Sequence, residues 1–399
     1  MNMRIFKLGV LATLVALSFF GTARAQGEAA VPFLLIAPDS RAGGMGETGT
    51  GLADNSSAVF WNPAGAAFLT GQELSFTHSN WLPQFNLDLF YDYATYRAYF
   101  EELDGNIMAN VTYMNYGEFQ RTLETGPEPV ATFRSYDMAV TAGYATKLSE
   151  DWGVGTNFRL THSRLADEPT GEEQGSGVAT SVAFDLAAMW RPDSLVLPLI
   201  GDVSNRLSVG ANLSNLGPKI FYIDQDQADP IPTNFRLGFA AQVFADDFNS
   251  LTLTLDFSKL LVSREPAVID SVTNETIEDG SVAPFYEAIF TAWADDPLDQ
   301  ELADVVSTVG MEYWYGEPGD FLFSLRSGFF YEDPNHGGRK FITLGGGIRY
   351  DLYGVDFSYI STAPFKDAEN HPLNETLRFT ILVGWGGVIE GLNGFPRGM

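Results

Sequence analysis

Four histidines, 51 acidic residues and no cysteine define the chemistry open to this chain. The lack of cysteine removes thiol catalysis, thiolate metal sites, disulfides and cysteine-linked lipid anchors. His78, His162, His336 and His371 are scattered, and none lies in the H-E-x-x-H spacing that puts two imidazoles on one helix face. His162 and Ser163 adjoin in a strand-like stretch, where neighbouring side chains point to opposite faces. His78 and His162 therefore read as lumen or rim residues rather than ligands, and a catalytic triad could arise only through the fold. Asp224, Asp226 and Asp229 have a calcium-like spacing without the glycine and terminal glutamate of an EF-hand loop. The residues specify no catalytic group, no resident metal and no cofactor.

What must position any site is a large folded chain. It has 399 residues, 45% hydrophobic and only 19% charged, which opposes disorder. Its 40 glycines and 20 prolines follow no collagen-like period, so they mark many turns. A net charge of -28 opposes nucleic-acid binding, because a phosphate backbone needs a Lys/Arg footprint. The scarcity of lysine alongside many carboxylates also fits a high-salt habitat.

Residues 1–25 read as a cleaved export signal: Arg4 and Lys7, an apolar run from Leu8 to Phe20, then Ala23-Arg24-Ala25. The apolar run is shorter than the roughly 20 residues a spanning helix needs. No second helix-length apolar run follows, so the product is either soluble or a membrane barrel. From Glu73 onward the period is two: Leu377, Phe379, Ile381, Val383 and Trp385 alternate with Arg378, Thr380, Leu382 and Gly384. Leu251, Leu253, Leu255 and Phe257 repeat the pattern. Fourteen strands are expected, near 73–79, 85–100, 107–121, 133–149, 152–165, 178–191, 205–216, 232–244, 250–262, 306–316, 320–331, 340–350, 353–362 and 374–386. Short connections alternate with long ones (122–132, 166–177, 217–231, 263–305 and 363–373), with 192–204 breaking the rule. An even strand count, this alternation and aromatic strand ends point to an all-β, 14-stranded antiparallel outer-membrane barrel rather than a soluble sandwich.

The expected organisation is a signal at 1–25, a plug segment at 26–72, a barrel at 73–386 and a tail at 387–399. Between Val31 and Phe68, clustered glycines and Asn62-Pro63 mark packed irregular chain, and Phe33, Leu34, Ile36, Phe60 and Trp61 favour burial in the lumen over a loose tail. The loop 263–305 should hold two helices. Phe285, Ala288, Ile289, Ala292 and Trp293 form one stripe, and Leu298, Leu302, Val305 and Val306 another after a capping Asp296-Pro297. These faces either pack on each other and the rim or receive a ligand or protein segment. The acidic sets Asp167, Glu168, Glu172, Glu173, then Asp224, Asp226, Asp229, then Glu265, Asp270, Glu275, Glu278, Asp279 read as solvated loops, or as carboxylates joined to lipopolysaccharide through divalent ions.

The stretch Ala37–Gly65, with its glycine run and Asn62-Pro63-Ala64, resembles the plug of FadL-like outer-membrane proteins. STVGMEYWYG, LRSGFFYEDP, GGRKFITLGGGIRYDL, VDFSYI and HPLNETLRF, in that order, resemble the PorV–PorQ family within it. That resemblance implies a non-enzymatic component of type IX secretion. Such a protein would receive cargo through its C-terminal signal domain after a SprA-type translocon and deliver it to a PorU-type sortase. It also implies that Arg41, Gly43, Gly44, Gly46, Asn62, Pro63 and Ala64 hold the plug. Amphipathicity, not a family motif, nominates Phe285, Ile289, Trp293, Leu298 and Leu302 for cargo binding. The alternatives are a FadL-like transporter of hydrophobic small molecules and an outer-membrane hydrolase. The final strand is followed by further chain, so an internal signal such as Phe379–Trp385 would serve insertion.

Overall fold

Alternation at period two becomes a wall with an apolar outside and a polar inside. The computed structural model describes residues 29–123, 126–166, 177–198, 201–223, 228–265, 268–269, 276–278, 281–317, 320–365 and 371–386. The export signal, the tail at 387–399, Asp167, Glu168, Glu172, Glu173, Asp224, Asp226, Asp270, Glu275 and Asp279 lie outside the described residues. Fourteen strands close one barrel: β1 Gln72–Asn80, β2 Phe90–Phe100, β3 Gly105–Leu123, β4 Gly126–Lys147, β5 Trp152–Arg164, β6 Val178–Trp190, β7 Leu207–Leu216, β8 Asn234–Ala245, β9 Asn249–Leu260, β10 Val306–Tyr315, β11 Leu322–Tyr331, β12 Lys340–Tyr350, β13 Tyr353–Ser361 and β14 Leu377–Trp385. Each pairs antiparallel with the next, and β1 closes on β14 from Gln72↔Trp385 to Ser79↔Arg378.

The faces are inverted relative to a soluble sheet. Leu74, Phe76, Val111, Val140, Leu160, Phe184, Leu253, Phe323, Ile348 and Phe379 are exposed, while Thr77, Asn110, Thr141, Asn157, Asn212, Thr254 and Ser324 are buried. A sandwich would bury the first set; a membrane barrel presents it to lipid. No described helix is long and apolar enough to cross a membrane.

Two expected boundaries move. The loop expected at 122–132 is instead a continued ladder reaching Leu123↔Gly126. Beyond Asn115, where pairing to β2 ends, and Tyr136, where pairing to β5 ends, this ribbon pairs only with itself. Phe119 and Phe133 stack across it at 5.9 Å, which gives the arm a cross-strand contact of its own. The strand expected from 85 begins at Phe90, because Pro83–Phe85 forms a 3-10 turn between Leu82 and Asn86, both at positive φ. The exceptional connection after β6 carries a small ladder, Val196–Leu197 against Gly201–Asp202.

Residues 29–71 run through the lumen as short turns: the 3-10 turn Pro32–Leu35, α1 Ser40–Gly43, α2 Ala58–Trp61 and the 3-10 turn Pro63–Phe68. Backbone meets backbone where two glycines face each other. Gly46 has φ +72, and a Cβ on Gly328 of β11 would collide with its nitrogen. Gly328→Val should therefore destabilise the folded barrel by about 1–3 kcal/mol through overpacking. Heat-dependent gel migration in detergent would register this, whereas Ser327→Val, on the lipid-facing side, should leave migration unchanged.

Candidate functional site

Inward-facing charges of the wall meet the lumen segment in one continuous chain of ion pairs. The Arg41 guanidinium donates to both Asp54 oxygens, and its Nε and Nη2 reach Glu312 at 2.8 and 2.7 Å. Arg326 Nε donates to the same Glu312 at 2.7 Å, and its Nη1 donates to Asp356 at 2.7 Å. Arg349 completes the chain on Asp356, and Trp314 lies beneath both Arg326 and Arg349. Three guanidiniums alternate with three carboxylates, so the chain is neutral although every member is buried. Geometry of this kind is what makes buried ions tolerable.

The segment is fixed elsewhere by single polar anchors. Asp39 accepts from Trp61 Nε1 at 2.7 Å and from the Ala42 nitrogen. Asp256 of β9 accepts from the nitrogens of Gly49 and Thr50 at 2.9 and 2.7 Å. Arg378 of β14 holds Glu47, and Arg236 of β8 lies over the rings of Phe60 and Trp61. Asn62 accepts from the Ala64 nitrogen, capping the turn that Pro63 begins, and donates to the Thr50 and Ala188 carbonyls. Gly43 faces Ser358 and Arg378, and Gly44 faces Gly345. All seven motif residues thus lie in lumen contacts. Glu312, Arg326, Arg349 and Asp356 were missed in the sequence; their signal was a charge at an inward-parity position of a strand.

A cavity of about 80 Å³ remains above this core, lined among others by Leu35, Trp61, Arg236, Asp256, Thr308 and Arg339. That is room for roughly two or three waters. The wall has register shifts at Asn115/Gly117, Phe184/Leu186 and Gln242/Phe244, yet the ladder is closed. At the first shift Tyr116 donates to Asp137 at 2.7 Å.

The second region is a flap at the long-loop end. Both expected helices form, α3 at Phe285–Thr291 and α4 at Leu298–Ala303, preceded by a ladder of Arg264–Glu265 with Ser281–Val282. The flap lies on the outer side of the wall. Phe235 and Lys259 are register partners on β8 and β9, with side chains opposite to those of lumen-facing Arg236 and Ser258. Trp293 meets Phe235 edge-on at 5.6 Å, and Lys259 Nζ donates to Glu301 at 2.7 Å and Asp304 at 3.0 Å. Lys219 adds a bond to the Val282 carbonyl.

The two stripes take different surroundings. Ala288 and Ala292 are buried, with Phe285 and Ile289 half-buried beside them. In α4, however, Leu298 and Leu302 stay 75% and 66% exposed, and Glu301 is the buried residue. Covering Lys259 demands a paired carboxylate, and this outweighs packing two leucines. Pro297, not Asp296, occupies the cap, without a side-chain bond. Phe290, outside the expected stripe, is 75% exposed.

The histidines do not converge. His78 and His162 point outward, not into the lumen, as the ends of a ring ladder through Phe90, Tyr113 and Tyr136 with spacings of 5.6–6.1 Å. His78 pairs with Asp92 at 2.7 Å and His162 with Thr180 at 3.0 Å. His336 lies between Asp304 and Asp333, and His371 accepts from the Leu373 nitrogen. Among the described residues, no group of three His, Asp or Glu is arranged to hold a metal.

The family described as "Type IX secretion system protein PorV" matches residues 22–267. No curated protein matches the chain. Among solved structures, a Pseudomonas aeruginosa FadL homologue is 12% identical, with 87% of this chain and 98% of that chain covered and a TM-score of 0.46. The Ralstonia pickettii toluene transporter TbuX is 11% identical, with 91% and 99% covered and a TM-score of 0.45. The Pseudomonas putida toluene transporter TodX is 11% identical, with 90% and 97% covered and a TM-score of 0.45.

Arg41→Met should cost about 3–5 kcal/mol, because it strands Asp54 while Glu312 keeps Arg326. Urea unfolding in detergent should show that loss, and Arg41→Met with Asp54→Leu should regain most of it. Lys259→Met should free α4, seen as faster proteolysis between 281 and 304 with the barrel intact.

Proposed function

The chain belongs to the family of the type IX secretion system protein PorV, and on that premise we propose that it is a non-enzymatic escort in the outer membrane. It receives secreted cargo by the C-terminal signal domain as the cargo leaves a SprA-type translocon and passes it to a PorU-type sortase. The lumen segment acts as a plug, with Arg41, Gly43, Gly44, Gly46, Asn62, Pro63 and Ala64 holding it. The chain reaches the membrane through a cleaved signal at 1–25, and its acidic loops face lipopolysaccharide.

One observation carries the docking half of this reading: a tethered flap leaves large apolar side chains in the open. Phe290, Leu298 and Leu302 are more than half exposed, and Trp293 is exposed while holding the flap to Phe235. Large apolar side chains left open on a folded, tethered element support a protein-binding face. Phe285 and Ile289 support the helix from beneath; the contact surface is Trp293, Phe290, Leu298 and Leu302.

The transporter reading has less support. Pockets for small organic ligands run to about 300–1,000 Å³ and are mostly apolar. The lumen cavity described above is about 80 Å³, and Arg236, Asp256 and Arg339 share its lining with Leu35, Trp61 and Phe330.

Removing the gene should leave proteins with type IX C-terminal domains undisplayed; normal surface display would discard the escort function. Phe290→Ser, Leu298→Ser and Leu302→Ser combined should weaken capture of purified cargo signal domain about tenfold or more. Unchanged capture with a folded barrel would move docking away from the flap.

A further inference from the structure

The lumen segment has a direction that the sequence does not announce. At one end, the carbonyls of Thr70 and Gly71 accept from Arg97, and those of Ala66 and Leu69 accept from Asn106. Arg97 and Asn106 flank the tight turn between β2 and β3. At the other end, the Ala30 nitrogen donates to the Pro230 carbonyl at 2.9 Å. Pro230 belongs to the long connection between β7 and β8, at the opposite mouth.

The turn after Ala30 is built into that mouth. Val31, Phe33 and Leu34 are 2%, 1% and 7% exposed, and they share an apolar cluster with Ile220 and Ile231 of the same connection and with Tyr91 at the start of β2. Val31 has φ +50, a conformation that costs a β-branched residue and persists only where its surroundings hold it. Pro32 follows, with no N–H to satisfy. The segment therefore spans the barrel from mouth to mouth, with Ala29 at the long-loop end.

In outer-membrane barrels the long loops face outward. We propose that the amino end of the lumen segment, Ala29 and Ala30, opens to the outer face beside the 217–233 connection. The amino end then forms one surface with the described residues of that connection, 217–223 and 228–233, reachable by soluble reagents and proteins outside the cell. A partner gripping Ala29 would be about ten residues from Asp39, the first polar anchor of the core. This rests on the outer-membrane orientation used above, and the controls below test that orientation separately.

The chain has no cysteine, so single-cysteine variants each carry one thiol. Glu28→Cys and Ala29→Cys test the amino end, Asp299→Cys the flap, and Leu148→Cys, in a tight turn, the opposite mouth. Heat-dependent migration would check that each variant folds. Intact cells are treated with a membrane-impermeant, polymer-linked maleimide. The expected result is a mobility shift for Glu28→Cys, Ala29→Cys and Asp299→Cys, with Leu148→Cys shifting only after the outer membrane is permeabilised. The proposal is overturned if both amino-end thiols resist until permeabilisation, or until unfolding, while Asp299→Cys shifts at once. If Asp299→Cys resists and Leu148→Cys shifts in intact cells, the orientation fails and takes the proposal with it, without bearing on cargo capture in detergent.

Discussion

A wall that must be greasy outside cannot also be greasy inside, and the interior of this molecule follows from that constraint. In lipid, strands are viable only as a closed ladder, since each unpaired peptide group costs several kcal/mol. Alternation then turns every second side chain inward, and here those are threonine, serine, asparagine and charged residues. A polar tube of fourteen strands holds water unless something fills it. Residues 29–71 fill it with chain whose own backbone polar groups bind the wall, as the bonds from Asn106, Asn157 and Asn212 to segment carbonyls illustrate.

Filling the tube with charge raises a second problem, which the ion chain resolves. A lone buried guanidinium would be prohibitive, and an isolated buried pair roughly breaks even. In the run Asp54, Arg41, Glu312, Arg326, Asp356, Arg349, each interior member is shared between two partners of opposite sign. Buried ion pairs of this kind often add no more net stability than apolar residues of the same volume, but their geometry is directional. Arg41 reaches Glu312 on β10 while α1 itself packs against β12, β13 and β14, so the chain of ion pairs fixes the register of an otherwise irregular segment.

The wall was legible because its period is short and repeated: Leu377 to Trp385 declares both faces within nine residues, and the strand count follows. Asn62-Pro63 and the glycine run were legible for a local reason, since a capped turn and a close approach each need a particular residue type. The β3–β4 arm was not. Pro127 and Pro129 read as loop, and only pairing with Arg121 and Thr122 makes that stretch a strand. The ion chain was invisible because Arg41 and Glu312 are 271 positions apart. Parity marked Glu312 as inward, but not what it would meet. The orientation of α4 is not legible for the same reason, since Lys259 comes from another strand and decides which face is buried.

The position of the flap bears on how a barrel with a filled lumen could handle a protein at all. Residues 29–71 occupy the lumen and bond to its wall, which leaves the rim and the wall as the places to meet a partner of protein size. The flap is anchored to the wall at Phe235 and Lys259, residues whose parity would otherwise send them toward lipid. It thereby carries apolar surface sideways from the barrel axis, with Leu298 and Leu302 left open. A surface placed there is accessible to a neighbour standing beside the barrel in the same membrane. The filled lumen supplies a rigid support behind it, because the strands that bear the flap, β8 to β10, are the ones pinned from within by Arg236, Asp256 and Glu312.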